Sequence, residues 1–322
     1  MNDPEYIALI GTNSVRNSQG IYTVHLERGT LKASVVSTQS AYNTGALALS
    51  ADGRRLYAAS EGMVFQGQAS GGALAFSVDG RGTLTYRNGV PTQGQRPCCL
   101  ALDPEERNLY AANFFGGSLA MLPVAEDGSL RPARRVVREP KPRGWLHGMH
   151  SVGVLDGGAL VGAVSLSQSE FVVYRADDGS RAAAYGFGER VFARSFDSFG
   201  AWIYVMLQDP GDIYVLRNRC AEGLGLECVQ VISVLPEPRE LYGTSAIRVS
   251  PDGKLLIAAV RRTNSLTLFR IGGDGRLTRS DVVELPGLTP RDLQISPDSR
   301  VVVTALQASD EICVHEIDRE RG

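Results

Sequence analysis

Short apolar runs, separated by turns rich in Gly, Asp and Ser, recur along the whole chain. The stretch from Arg96 to Leu130, RPCCLALDPEERNLYAANFFGGSLAMLPVAEDGSL, shows the unit most clearly. CCLALD is an alternating, largely apolar run and predicts a strand. DPEERN predicts a turn, because Asp and Pro favour turn geometry and the charges need water. LYAANF is nearly all apolar, as expected of a strand buried on both faces. FGG breaks the run, SLAMLPV predicts a third strand, and AEDGSL turns the chain back.

The unit repeats. ALALSADGRRLYAAS with GGALAFSVDGRGTL precedes it, and HSVGVLDGGALVGAVS with EFVVYRADDGS follows. RSFDSFGAWIYVML with GDIYVLR, AIRVSPDGKLLIAAV with SLTLFRIGGDGRL, and DLQISPDSRVVVTAL with EICVHEID continue the series. The anchors of the apolar runs, Tyr57, Tyr110, Val161, Tyr204, Ile257 and Val303, are spaced about 43 to 53 residues apart. With the N-terminal YIALIGT, followed by IYTVHL, there are seven copies. A period near 45 with about four strands per copy is the signature of propeller blades, each of which buries its faces only against its neighbours. The expectation is an all-β, seven-bladed β-propeller forming one domain over residues 1–322, with the anchor-bearing runs as inner strands. YIALIGT lacks a preceding strand and the last copy ends after EICVHEID, so a three-stranded or otherwise irregular blade is expected where the ends meet. The segment RNRCAEGLGLECVQ reads as an irregular surface excursion.

Composition narrows the function classes. The 322 residues are 43% hydrophobic and 21% charged, with a formal net charge of -2, so no basic footprint for nucleic acid is present. The 36 glycines exceed the usual ~7% and suit a turn-rich β chain. MNDPEYIALIG has acids where a secretion signal needs bases, and no apolar run approaches a membrane span, so a soluble cytoplasmic protein is expected. The five cysteines form no CxxC motif and read as free thiols, although Cys220 and Cys228 share a segment that an oxidising compartment would let pair.

Several stretches resemble the seven-bladed lactonase propellers, a family that includes propeller-type 6-phosphogluconolactonases and carboxymuconate lactonizing enzymes. The resemblance rests on NSQGIYTVHL, on GQRPCCLALDPEERNLYAANFFGGSLAMLP, on SAIRVSPDGKLLIAAVRRTNSLTLFRI and on TPRDLQISPDSRVVVTALQASDEICVHEI. It implies no cofactor and a small carboxylated or phosphorylated lactone as substrate. Fold alone does not settle the reaction.

The candidate site residues follow from matching these blocks. His150 in HGMHSVGVL is a candidate general base or substrate ligand, its alternative being a His packed against a turn. His147 stands three residues earlier, but with only four His in the chain no zinc-ligand cluster is apparent. Arg261 in AAVRRTNSL matches the family's Arg, and Arg suits a carboxylate or phosphate. Arg291, Gln307, Arg96 and Asn113 match further family positions, Asn113 with a turn-capping role as its alternative. Phe114 stands where the family commonly has Tyr.

Two departures bear on chemistry. The family usually carries a Glu in the fifth blade where VMLQD places Gln208, and an amide is no base. Its acidic position in the fourth blade falls at Ser165. The basic residue before the fifth-blade strand is Arg190 or Arg194. Glu61 in YAASEGM is either a substitute acid or a solvated loop residue. Three readings result: a lactone hydrolase of carbohydrate metabolism in which Arg261 and Arg291 hold the anion and His150 moves the proton; a muconate-type cycloisomerase (lactonizing enzyme); or a propeller that binds ligand or protein without catalysis. In the enzyme readings His150 and Arg261 are expected to share one mouth of the ring.

Overall fold

The computed structural model describes residues 6–27, 29–139, 148–189, 191–237 and 243–318. Seven antiparallel sheets follow one another along the chain, and within each sheet the strands are neighbours in chain order. The second to sixth sheets have four strands, and the first and last have three. The chain divides into two compact units, residues 1–168 with 174–180 and residues 169–173 with 181–322.

The apolar runs became strands as their patterns require. The runs bearing Tyr57, Tyr110, Val161, Tyr204 and Ile257 are the second strands of their sheets, with a partner on each side. They are inner strands of their sheets, as the order strand, turn, inner strand, strand in the repeated unit predicts. An all-apolar run needs protein on both faces and both edges, and a second strand has them. Leu255–Val260 is buried throughout, and Leu160–Ser165 likewise. By contrast Tyr6–Gly11, which opens the first sheet at its edge, is only half-buried, with Ile7 38% exposed.

Each unit builds its core by packing consecutive sheets face to face. In the first, Tyr57, Ala59 and Ala75 of the second sheet meet Leu109, Ala111 and Leu122 of the third. In the second, Tyr204, Met206 and Val215 of the fifth sheet meet Leu256, Ala258 and Phe269 of the sixth. Fully burying one such large side chain contributes about 1.5–3 kcal/mol. A tyrosine at the same place in both units adds a staple. The Tyr57 hydroxyl donates to the Gly128 carbonyl and the Tyr204 hydroxyl to that of Gly275, each at 3.1 Å, joining one sheet to the turn of the next.

The turns repeat as well. In SADG the Asp52 carboxylate accepts from the Ser50 hydroxyl at 2.7 Å and from the Arg54 amide at 2.9 Å, which holds its pKa below the usual carboxylate range. SPDG at Ser250 and SPDS at Ser296 make the same Ser–Asp contact at 2.6 Å. Each turn needs one left-handed residue, supplied by Gly53 (φ 71°), Gly253 (φ 70°) and Ser299 (φ 60°). The segment RNRCAEGLGLECVQ is not irregular. It is a long hairpin, with strands Asp212–Arg219 and Gly225–Ser233 joined by a short 3-10 turn at Cys220–Glu222. Gly223 adopts φ 75° there, and Arg219 pairs with Glu222 at 2.7 Å and Glu227 at 3.5 Å. All five cysteines are free thiols.

Candidate active site

Two positions recur from sheet to sheet, and most of the predicted residues occupy one or the other. The first is a β-bulge near the start of the first strand. The ladder to the second strand slips between Pro97 and Cys99, Met149 and Ser151, Ala193 and Ser195, and Pro290 and Asp292. The residues set out of register are Cys98, His150, Arg194 and Arg291. A longer slip, from Thr244 to Ile247, occupies the sixth sheet. A bulge bends the strand and re-aims one side chain, which is why bulges recur beside active sites.

The second position follows the second strand, where a backbone N–H donates back to the residue preceding the bulged segment. Leu166 donates to Gly148 at 3.1 Å, Gln208 to Phe192 at 2.7 Å, Arg261 to Gly243 at 3.2 Å and Gln307 to Thr289 at 2.9 Å. Glu61 makes the comparable bond to Asn43 at 2.9 Å. In the fourth sheet this position therefore belongs to Leu166, not to Ser165, which is fully buried and accepts the Gln168 amide at 3.2 Å. The shared hydrogen bond identifies the position; local sequence alone is ambiguous by one residue.

In the first unit the candidates form a chain of contacts. The Glu61 carboxylate lies 3.7 Å from the Arg96 guanidinium, their side chains 15% and 44% exposed. Arg96 has φ +52° and lies over the Phe115 ring, 5.1 Å from its centroid. Phe115 packs on Phe114 at 5.4 Å, and Phe114 meets the His150 imidazole edge-on at 5.8 Å. Beneath them the Cys98 thiol points at the carbonyls of Met149 and His150, at 3.6 and 3.5 Å. Asn113 lies apart from this chain of contacts. It is fully buried, accepts from the Thr92 hydroxyl at 2.7 Å and donates to the Ser118 hydroxyl at 3.2 Å. Gly94 is needed beside it, since a Cβ there would lie 2.5 Å from the amide. Its amide is engaged by protein, as the turn-capping alternative for Asn113 expects. His147 and Arg190 lie outside the described residues.

The second unit groups cations. Arg194 is 6% exposed and donates from Nη1 to Gln208 Oε1 at 2.6 Å. The Gln208 carbonyl accepts the Thr244 amide at 2.9 Å. Next to Thr244, the Gly243 carbonyl accepts both the backbone N–H and, at 2.8 Å, the Nε of Arg261. Gly243 has φ +60°. Arg261 is thus anchored by Nε. Among the described residues its Nη groups have no hydrogen-bond partner. Burial lowers its pKa, the charges of Arg291 and Arg262 press the same way, and Asp209 opposes them. Arg291 is half-buried and Gln307 exposed. Asp209 was not among the predicted residues; its signal was present only as the residue beside Gln208.

Among the described residues no three His, Cys, Asp or Glu side chains are grouped as metal ligands, and no helix is long and apolar enough to cross a membrane.

The seven antiparallel sheets, with polar and charged residues placed at two repeated positions, define a seven-bladed β-propeller. Residues 7–322 match the family model described as lactonase, 7-bladed beta-propeller, and the chain belongs to that family. It is 27% identical over 238 residues to the 6-phosphogluconolactonase of Bacillus subtilis, covering 70% of this chain and 67% of that protein. It is 25% identical over 239 residues to the 6-phosphogluconolactonase of Pectobacterium carotovorum, covering 70% and 68%. The structure of the periplasmic gluconolactonase of Pseudomonas aeruginosa superposes with a TM-score of 0.87 at 26% identity, over 98% of this chain and 93% of that one. Family and relatives together support a lactone hydrolase.

Proposed function

We propose that this protein hydrolyses a small lactone carrying a carboxylate or phosphate group, in the cytoplasm and as part of carbohydrate metabolism. The observation that supports this most is Arg261, a half-buried guanidinium anchored through Nε whose Nη groups have no hydrogen-bond partner among the described residues. Partly burying a guanidinium is unfavourable, and an anion relieves the cost. Arg261 is anchored through Nε to the Gly243 carbonyl, which leaves its Nη edge for two parallel hydrogen bonds to a carboxylate or phosphate. His150 takes the role of general base. Its imidazole accepts a proton from water as the water oxygen attacks the lactone carbonyl; the ring C–O bond then breaks, and the ring oxygen leaves as a hydroxyl after protonation. Phe114 limits the imidazole's rotation by its edge-on contact. Glu61 and Arg96 take the part of a substrate-facing ion pair, and Gln307, being exposed, that of a rim contact. The same reading treats residues 1–322 as one propeller domain.

Turnover of 6-phosphogluconolactone, gluconolactone and carboxymuconolactone, followed by proton release, tests the reading. Hydrolysis of a phosphorylated or carboxylated lactone well above that of the neutral one is expected. Reversible ring closure of a muconate instead indicates the cycloisomerase, and no turnover of any of them indicates a binding propeller.

A further inference from the structure

In the first unit, the segment after the strand Tyr6–Gly11 and the segment before the strand Leu47–Leu49 are built into one frame. Their backbones run so close that a Cβ on Gly11 would lie 1.9 Å from the Thr44 carbonyl oxygen, and the Thr44 amide donates to the Thr12 carbonyl at 2.9 Å. Asn43 ties this frame to Glu61. Its Oδ1 accepts the Ser14 amide at 2.6 Å, and its Nδ2 donates to the Glu61 carbonyl at 3.3 Å. Asn13 and Glu61 are thereby fixed beside Gly45. Gly45 is exposed and its φ is not left-handed, so the backbone alone does not call for glycine there. Space does. A Cβ on Gly45 would lie 2.9 Å from Glu61 Oε1 and 3.0 Å from Asn13 Oδ1, with Asn13 Cγ next at 3.9 Å. Two oxygens therefore border an open notch. The other carboxylate oxygen, Glu61 Oε2, faces Arg96 Nη2 at 3.7 Å. Arg96 thus opposes the charge, and Oε1 is directed at the notch, where a neutral donor suffices. A carboxylate has about four acceptor positions, so further partners of Glu61 leave room for one more. Among the described residues the half-buried Asn13 side chain has no hydrogen-bond partner.

We propose that the notch over Gly45 is a hydroxyl-binding site, in which Glu61 Oε1 accepts from one hydroxyl of a ligand and the Asn13 amide bonds the hydroxyl on the adjacent carbon. A carboxylate takes only donors, an amide offers both an acceptor and donors, and a hydroxyl is both. A pair of neighbouring hydroxyls therefore satisfies both side chains, and a bare carbon chain satisfies neither. The missing Cβ at Gly45 leaves room for the carbons that carry them. Asn13 and Glu61 then set specificity rather than perform chemistry. The notch stands at the far end of the contact chain that runs through Arg96, Phe115 and Phe114 to His150. Its place in a substrate site rests on the lactone-hydrolase reading.

The test is titration calorimetry of the full chain with gluconate and with hexanoate, the same six-carbon acid without hydroxyls. The ratio of the two affinities is read, because a change in net charge acts on both acids alike. The wild type is expected to prefer gluconate by about thirtyfold or more, as one neutral and one charged hydrogen bond allow. Asn13→Ala is expected to reduce that preference about threefold to tenfold, and Glu61→Gln about tenfold. Gly45→Ala keeps both polar side chains and fills the notch, and is expected to reduce the preference as well; it carries the test if either of the other variants fails to fold. Absent or equal binding of the two acids by the wild type overturns the site, and so does a ratio that none of the three changes moves. Lactone turnover separates the two claims. If lactones are hydrolysed but the ratio does not move, the notch is wrong and the hydrolase reading stands. If the ratio moves as expected and no lactone is turned over, the hydroxyl site stands and the hydrolase reading falls.

Discussion

The two halves of the chain share a frame and differ in how they treat charge. Both use the same tyrosine staple, at Tyr57 and Tyr204, and the same bulge beside the start of the first strand, at His150 and Arg194. In the first half the exposed groups are matched to one another: Glu61 faces Arg96, Arg96 lies on Phe115, and Phe114 meets His150. In the second half burial and the like charges of Arg291 and Arg262 lower the pKa of Arg261, and Gln208 is an amide rather than an acid. A matched set is at rest without a ligand. A half-buried cation gains by taking one. The comparison teaches that a repeat supplies the geometry of a site, while each copy's residues decide whether it reacts with or attracts a substrate.

The sharpest break in this comparison is expected from His150→Ala. If the first half supplies the proton transfer, kcat falls by ~10²–10⁴ with KM little changed, as steady-state kinetics on a turned-over lactone will show. Loss of KM alone would move the base elsewhere. Arg261→Ala sharpens the other side. Removing a charge-assisted contact worth about 1.5–3 kcal/mol raises KM for an anionic lactone by roughly 10- to 100-fold and leaves a neutral lactone unaffected. An equal effect on both substrates would deny the anion role.

A smaller, structural effect separates Asn113 from its neighbours. Asn113→Ala takes the amide donor from the buried Ser118 hydroxyl, while Thr92 keeps the Gly94 and Gly71 carbonyls, and is expected to cost about 1–3 kcal/mol in urea unfolding. It should leave KM intact, and a KM change without lost stability would restore Asn113 as a contact. The staples come next. Tyr57→Phe and Tyr204→Phe should each cost about 1 kcal/mol, equally in the two halves, since the bonds have the same length. Glu61→Gln is expected to be the mildest for stability, within about 1 kcal/mol, because its partner Arg96 is largely solvated.

The sequence by itself determined the all-β class, the count of seven sheets and most turn positions. These depend on local alternation, on Gly and Asp chemistry and on a period that repeats often enough to be counted. The candidate residues were legible too, because Arg261, His150 and Arg291 sit in recognisable blocks. Two things were decided only by tertiary structure. Asn113 went to the core, because the hydroxyls that claim its amide come from Ser118 on the neighbouring strand and from Thr92 in the connection that leads into the sheet, and their approach needs Gly94. The fourth-sheet position passed from Ser165 to Leu166, because only the bond from Leu166 to Gly148 shows where a bulge has displaced the register. A bulge adds one residue to one strand and none to its partner, so counting along the chain cannot reveal it; the pairing that does so exists only once the sheet has formed.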